Sequence, residues 1–206
     1  MIPGVILSGG ASSRMGGRPK ALLPTGRGDE TFLRRIASTL VAGGVDDVVV
    51  VTGYHDEATS RLVDALPMPV RLLRNLSPER GQLSSLLVAL RVVDHPGVPA
   101  MLVTLVDLPL VSVSTVRAVL DGYRRTGAPL VRPERDGRHG HPVLFDRSLF
   151  DELLKADPER GAKPVVRAHA AQGLDIATDD DGAFTDIDTP QDYERAFGRP
   201  LPPALD

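Results

Sequence analysis

The stretch Val5-Ile6-Leu7-Ser8-Gly9-Gly10-Ala11-Ser12-Ser13-Arg14-Met15-Gly16-Gly17-Arg18-Pro19-Lys20 passes from apolar to glycine-rich to cationic. Val5 to Leu7 reads as a short buried strand that stops abruptly at small residues. A strand opening into such a loop suits a polyphosphate. Glycines let backbone N–H groups approach the oxygens, and Arg14, Arg18 and Lys20 neutralise the charge. An ordinary Gly/Ser turn with solvated cations is the other reading, because a lone glycine motif is a weak signal. Two familiar phosphate motifs do not fit. Walker A requires Ser or Thr after its lysine, whereas Ala21 follows Lys20. The dinucleotide fingerprint Gly-x-Gly-x-x-Gly is absent, since Gly9 and Gly10 are adjacent and the next glycines are Gly16 and Gly17. A P-loop ATPase and a dinucleotide oxidoreductase are therefore weak readings.

Outward from this stretch, apolar runs alternate with helical patterns. Val48 to Thr52 is a β-branched run of strand length, and Val70 to Leu73 and Met101 to Val106 are further strand candidates. Between them, Asp56 to Leu66 and Gly81 to Val93 carry helical spacing. Ser112 caps another helix whose apolar side holds Val116, Val119, Leu120 and Tyr123. This alternation argues for a parallel α/β sheet covered on both faces. After residue 128 the rhythm changes. Arg132 to Pro142 reads as a loop or hairpin and Val143 to Phe145 as a short strand. Leu149 to Leu154 and Lys163 to Ala171 read as helical, and Ala183 to Ile187 as a final strand. Pro190 starts a last helix. The expectation is one domain over residues 1–198 and a loose proline-rich tail over 199–206.

Bulk properties narrow the function classes. The chain has 206 residues, 42% apolar and 25% charged, ordinary for a soluble globular protein. A net charge of −3 gives no sign of a nucleic-acid partner. No apolar stretch approaches the roughly 18 residues of a bilayer span, so no membrane is expected. The amino terminus lacks the basic start of a signal peptide, and a cytoplasmic enzyme is expected. With no cysteines, disulfides, thiolate zinc sites and a cysteine nucleophile are excluded.

Acidic partners for the loop come from two places. Asp107 follows an apolar strand, where open α/β sheets gather ligand groups. It could face a bound triphosphate and its divalent cation, or serve as a turn or N-cap residue. Asp186 and Asp188 alternate, so both point to one side. The acidic run Asp179-Asp180-Asp181 reads as a solvated turn. Gly81, Ser84 and Ser85 open a helix whose free N–H groups suit an anion, although the serines also fit a plain helix start. His139 and His141, on a flexible segment without further ligands, are poor evidence for zinc. Arg160 and Lys163 either meet a phosphate or are solvated at a helix start.

The spacing Leu7-Ser8-Gly9-Gly10-x-x-x-Arg14-Met15-Gly16-x-x-x-Lys20 resembles the opening signature of the MobA-like nucleotidyltransferases. This family includes the molybdenum cofactor cytidylyltransferases and guanylyltransferases. Five ordered segments between residues 5 and 192 carry the likeness, which is strongest to the cytidylyltransferase branch. It implies a three-layer α/β/α fold with a mostly parallel sheet, Rossmann-like and similar to GT-A. It implies an NTP and a molybdopterin-type substrate, Mg²⁺, and a molybdenum hydroxylase as receiving partner. By the same likeness, Leu7, Ser8, Gly9 and Gly10 lie along base and ribose, with Gly81, Ser84 and Ser85 bordering the nucleotide. Arg14 holds the β- and γ-phosphates, and Lys20 the α-phosphate region. Asp107 and Asp188 hold Mg²⁺, the latter selected because it precedes Thr-Pro-x-Asp. Gly140-His141-Pro142-Val143 and Arg160 fall on the pterin side. Base choice conflicts. Gly9 leans towards guanine, Gly-His-Pro-Val and Ser-Ser-Leu lean towards cytidine, and Ser8 matches neither; CTP has more segments in its favour. Another phosphorylated acceptor, such as a sugar phosphate, or a non-catalytic accessory role are the competing readings.

Overall fold

The structure, a computed structural model, describes residues 1–10, 12–53 and 57–203. The chain runs through β1 (Pro3–Ser8), α1 (Phe32–Gly43), β2 (Asp47–Thr52), α2 (Glu57–Asp64), β3 (Val70–Arg74) and α3 (Gln82–Val93). It continues through β4 (Ala100–Leu105), α4 (Val113–Thr126), β5 (Leu130–Arg135), β6 (Arg138–His139), β7 (Val143–Asp146) and α5 (Phe150–Leu154). It ends with α6 (Lys163–Ala168), β8 (Leu174–Ala177) and α7 (Pro190–Phe197). The strands form one sheet in the order β3-β2-β1-β4-β7-β5-β6, with β8 also pairing β5. Strands β1 to β4 are mutually parallel. Strand β7 runs antiparallel between β4 and β5.

The strands are apolar without interruption because both faces are covered. Val48 and Val50 join Ile6 and Leu102 beneath Leu33, Ile36 and Leu40 of α1 and Val116, Val119 and Leu120 of α4. Val49 and Val51 point the other way, joining Val5, Leu7, Met101 and Val103 beneath Leu86, Leu90 and Val93 of α3 and Phe150 of α5. The result is the expected three-layer α/β/α arrangement with a mostly parallel sheet. Helices α1 and α4 meet at Gly43, where a Cβ would come within 2.2 Å of Val116. No helix is long and apolar enough to cross a membrane among the described residues.

Several boundaries differ from the sequence reading. Helix α1 was not anticipated, although Thr31 caps it, accepting a hydrogen bond from Arg34 N at 3.3 Å, and Gly44 ends it at φ 102°. The segment 132–142 resolves into the end of β5 and the β5–β6 hairpin. Asp136 (φ 54°) and Gly137 (φ 77°) make its two-residue turn. Strand β8 was also not anticipated. Ala183 to Ile187, expected as a strand, instead crosses the strand ends. Ile187 N donates to the Asp107 carbonyl at 2.8 Å, and Gly182 packs against the backbone of Leu110. Ile187 is buried with Met15, Phe32 and Tyr193 rather than in the sheet. Helix α6 stops at Ala168, short of Ala171. The start of the second helix at Asp56 lies outside the described residues, as does the end of the tail. From 199 to 203 the tail is fastened. Arg199 donates to Tyr193 Oη at 3.1 Å, Arg18 donates to the Pro202 carbonyl, and Leu201 packs on the Phe32–Tyr193 cluster.

Candidate active site

A cleft of about 870 Å³ opens at the carboxyl ends of β1, β2 and β4. That is a typical volume for a small-molecule site, at the sheet edge where α/β folds gather ligands. The glycine loop after β1 forms one side, Pro78, Gly81, Gln82 and Ser85 another, and Asp107 and Asp188 close the far end. The glycines here answer to packing. A Cβ on Gly9 would lie 2.8 Å from Ser85 Oγ, and one on Gly53 would lie 2.5 Å from the Gly9 carbonyl oxygen.

Lys20 enters from a single helical turn over Lys20–Leu22. Its Nζ donates to Asp107 Oδ2 at 3.0 Å and to Asp188 Oδ1 at 2.5 Å. Arg14, more exposed, reaches Asp188 Oδ2 at 3.3 Å. Burial disfavours the Lys20 charge, but the Asp107 and Asp188 carboxylates outweigh it and hold the ammonium above the usual lysine range. Asp186 lies in the same field. Burial first, then the charges of Asp107 and Asp188, raise its carboxyl above the ordinary carboxylate value, while Lys20 and Arg138 act in the opposite direction.

The backbone fixes Asp188 from both sides. Its neighbour Ile187 is bonded to Asp107, and Asp192 Oδ2 accepts from Asp188 N at 3.3 Å and from Thr189 N at 2.9 Å. Thr189 and Asp192 form a reciprocal capping box at the start of α7. Asp107 carries an oxygen, Oδ1, that is buried without a hydrogen-bond partner. Such an atom is costly unless something else satisfies it.

The sequence candidates divide by position. Leu7, Ser8, Gly9, Gly10, Arg14, Lys20, Gly81, Ser85, Asp107 and Asp188 all line the cleft. Ser84 lies behind the wall, where its hydroxyl donates to the Gly81 carbonyl at 2.7 Å. His141 turns Nδ1 to the Val103 carbonyl at 3.4 Å, and burial pushes its imidazole below the usual histidine value. Pro142 lies under the opposite sheet face beside Ile36 and Val116. Arg160 is exposed in the turn before α6 and is not among the cleft residues. The cation Arg18 faces the tail.

The sequence reading missed Asn75. It is buried at the end of β3, where its Nδ2 donates to Ser84 Oγ at 2.7 Å and to Ser85 Oγ at 3.0 Å. Its Oδ1 accepts from Ser77 N at 2.9 Å, so one amide organises the whole wall. A lone asparagine directly after a strand was the available signal.

A family model described as the MobA-like NTP transferase domain matches residues 4–173, most of the chain. The chain belongs to that family. A probable molybdenum cofactor guanylyltransferase from Rhodopirellula baltica is 36% identical to this MobA-like chain, over 80% of it and 84% of the relative. Nicotine blue oxidoreductase from Paenarthrobacter nicotinovorans is 30% identical, over 94% of this chain and 95% of the relative. The crystal structure of Rv0371c from Mycobacterium tuberculosis H37Rv in complex with manganese matches with a TM-score of 0.72 at 27% identity, covering 96% of this chain and 98% of that one. Family membership makes the protein a nucleotidyltransferase.

Proposed function

We propose that this MobA-like protein transfers an NMP from an NTP, CTP in preference to GTP, to the terminal phosphate of molybdopterin or its molybdenum form. The observation that carries this reading is the Lys20 ammonium set between Asp107 and Asp188 at the mouth of a glycine loop. Opposed cation and carboxylates at one point suit a metal-bound triphosphate better than hydride transfer. The chain also lacks the dinucleotide fingerprint, so the oxidoreductase name of one relative is not carried over.

The carboxylates fit a divalent cation. Asp107 Oδ1 is buried and unpartnered, and Asp188 stands across the same lysine. Two carboxylates are what Mg²⁺ commonly takes from a protein, with phosphate oxygens and waters completing its shell. Asp107 and Asp188 would hold Mg²⁺, which when bound supplies Lewis-acid neutralisation of the triphosphate. The manganese in the structure of the Mycobacterium tuberculosis relative supports a divalent ion.

The protein's own groups do the positioning. Leu7 to Gly10 lie along base and ribose, with Gly81 and Ser85 on the far wall. Arg14 takes the β- and γ-phosphates, and Lys20 the charge at the α-phosphorus. An acceptor phosphate oxygen forms the new bond to the α-phosphorus as the bond to the β-phosphate oxygen breaks, and pyrophosphate leaves. No proton need move. His141, Pro142 and Arg160 are given no contact with the nucleotide. Gly9 leans towards guanine, and it also packs closely, since a Cβ there would lie 2.8 Å from Ser85 Oγ. The remaining segments favour CTP, and a molybdenum hydroxylase would then receive the product.

The test is pyrophosphate release with CTP, GTP, ATP or UTP and Mg²⁺, with and without molybdopterin. Release requiring CTP and molybdopterin is expected. Release with GTP alone overturns the base assignment. Release only with another phosphorylated acceptor overturns the acceptor. Partner binding without any release identifies an accessory protein.

A further inference from the structure

The β5–β6 hairpin brings a third cation, Arg138, into the field of Asp186, beside Lys20 and Arg14. Gly140 follows β6 and seats directly on the 183–188 segment. A Cβ there would lie 2.3 Å from the Ala183 carbonyl oxygen and 2.9 Å from the Phe184 ring. His141 N donates to the Ala183 carbonyl at 2.9 Å. The same short segment continues to Asp186 and Asp188, and Ile187 is bonded to Asp107. The hairpin is therefore tied to the carboxylates through one brief stretch of backbone.

Two guanidinium groups lie over Phe184. Arg135 Cζ is 4.9 Å from the ring centroid and pairs with Asp181 at 2.7 Å. Arg138 Cζ is 6.0 Å from the same centroid, and it has no ion pair among the described residues. An aromatic face orients a guanidinium without cancelling its charge, so the planar fork of Arg138 stays available for a bidentate anion. Arg135 is spent on Asp181 and steadies the ring.

We propose that Arg138 binds the phosphomonoester of the acceptor, holding it on the Phe184 side of Asp107. The inference rests on the reading of the site as one that joins a phosphorylated acceptor to an NMP. That reaction brings a phosphate dianion against a triphosphate, and Lys20 and Arg14 are already committed to the nucleotide. A third cation offsets the repulsion between the two reactants and fixes the line of attack. An arginine suits a terminal phosphate because two parallel N–H groups match two of its oxygens.

The experiment is steady-state kinetics with molybdopterin varied at saturating CTP and Mg²⁺, on wild type, Arg138→Ala and Arg138→Lys. Loss of a charge-assisted pair should raise the acceptor KM by roughly 10-fold or more. The KM for CTP should stay near the wild-type value, and lysine should recover part of the loss. A merely structural role would move both KM values together and would not be rescued by lysine. Wild-type release with an unchanged acceptor KM in Arg138→Ala removes this inference alone. Wild-type failure to release pyrophosphate with any phosphorylated acceptor removes the underlying reading, and this inference with it.

Discussion

Lys20 Nζ and Asp107 Oδ2 meet at 3.0 Å across 87 positions of sequence. A cation this well enclosed by carboxylates holds two negative charges together that would otherwise repel. Replacing Lys20 with Ala should lower turnover by about 10²–10⁴-fold, the scale of losing a preorganised charge partner. The fold should survive, since the lysine lines the cleft and belongs to none of the apolar clusters. Pyrophosphate release read beside circular dichroism checks this, and near-normal turnover in a folded variant refutes the role.

Gly9 and Ser85 compete for one space. Gly9→Ala would drive a methyl to 2.8 Å from Ser85 Oγ and should destabilise the protein by about 1–3 kcal/mol. Ser85→Ala frees that space, while Asn75 keeps its bond to Ser84. The double variant should therefore recover much of the loss, with a coupling energy visible in urea melts. Additive effects would show that the two loops do not pack as described.

The histidine behind the site predicts a pH signature. Burial holds the His141 imidazole below its ordinary value, so at acid pH the unfolded chain binds this proton more readily. Its contribution to stability is present above about pH 6.5 and is lost as pH falls through the lower folded value. Thermal melts at pH 7.5 and 5 should show a steeper fall for wild type than for His141→Gln. Equal slopes would place the histidine in solvent.

Asp192 offers a way to loosen one carboxylate without touching it. The Thr189 hydroxyl, and after it the backbone N–H groups of Thr189 and Asp188, outweigh burial and hold the Asp192 carboxyl below the usual range. Replacing Asp192 with Asn should cost about 0.5–2 kcal/mol as the capping box weakens. Because Asp188 N is among its donors, Mn²⁺ affinity measured by EPR should fall as well. A loss of stability with unchanged Mn²⁺ binding would separate the cap from the carboxylate.

Much of this was legible from sequence because strands β1, β2 and β4 are buried on both faces and read as continuous apolar runs. Lys20 and Asp107 stood out for the same reason, each following a strand that ends abruptly. That Asp107 could face the loop was legible from the shared carboxyl ends of the strands, whereas the direct 3.0 Å pair with Lys20 was not. Between Asp186 and Asp188 the residues alone did not choose, and only the family likeness at Thr-Pro-x-Asp pointed to Asp188, while the segment before it misled. Ala183 and Ile187 are apolar at strand spacing, yet they bury against α7 and the strand ends. Asn75 offered one signal, an asparagine directly after a strand, but not its bonds to Ser84 and Ser85. Arg138 offered none, because only the folded chain brings the Phe184 ring beneath it.

The antiparallel strand β7 has a consequence for how the protein is made. A ribosome releases the glycine loop, Lys20 and Asp107 within the first 107 of 206 residues, with the central parallel strands ready to collapse around them. Asp188 emerges only after the chain has doubled back through β7 and laid the 183–188 segment across the strand ends. A nascent or prematurely terminated chain therefore has the glycine loop but lacks Asp188, the clasp at α7 and the seat of its hairpin. Such fragments leave Lys20 with one of its two carboxylate partners.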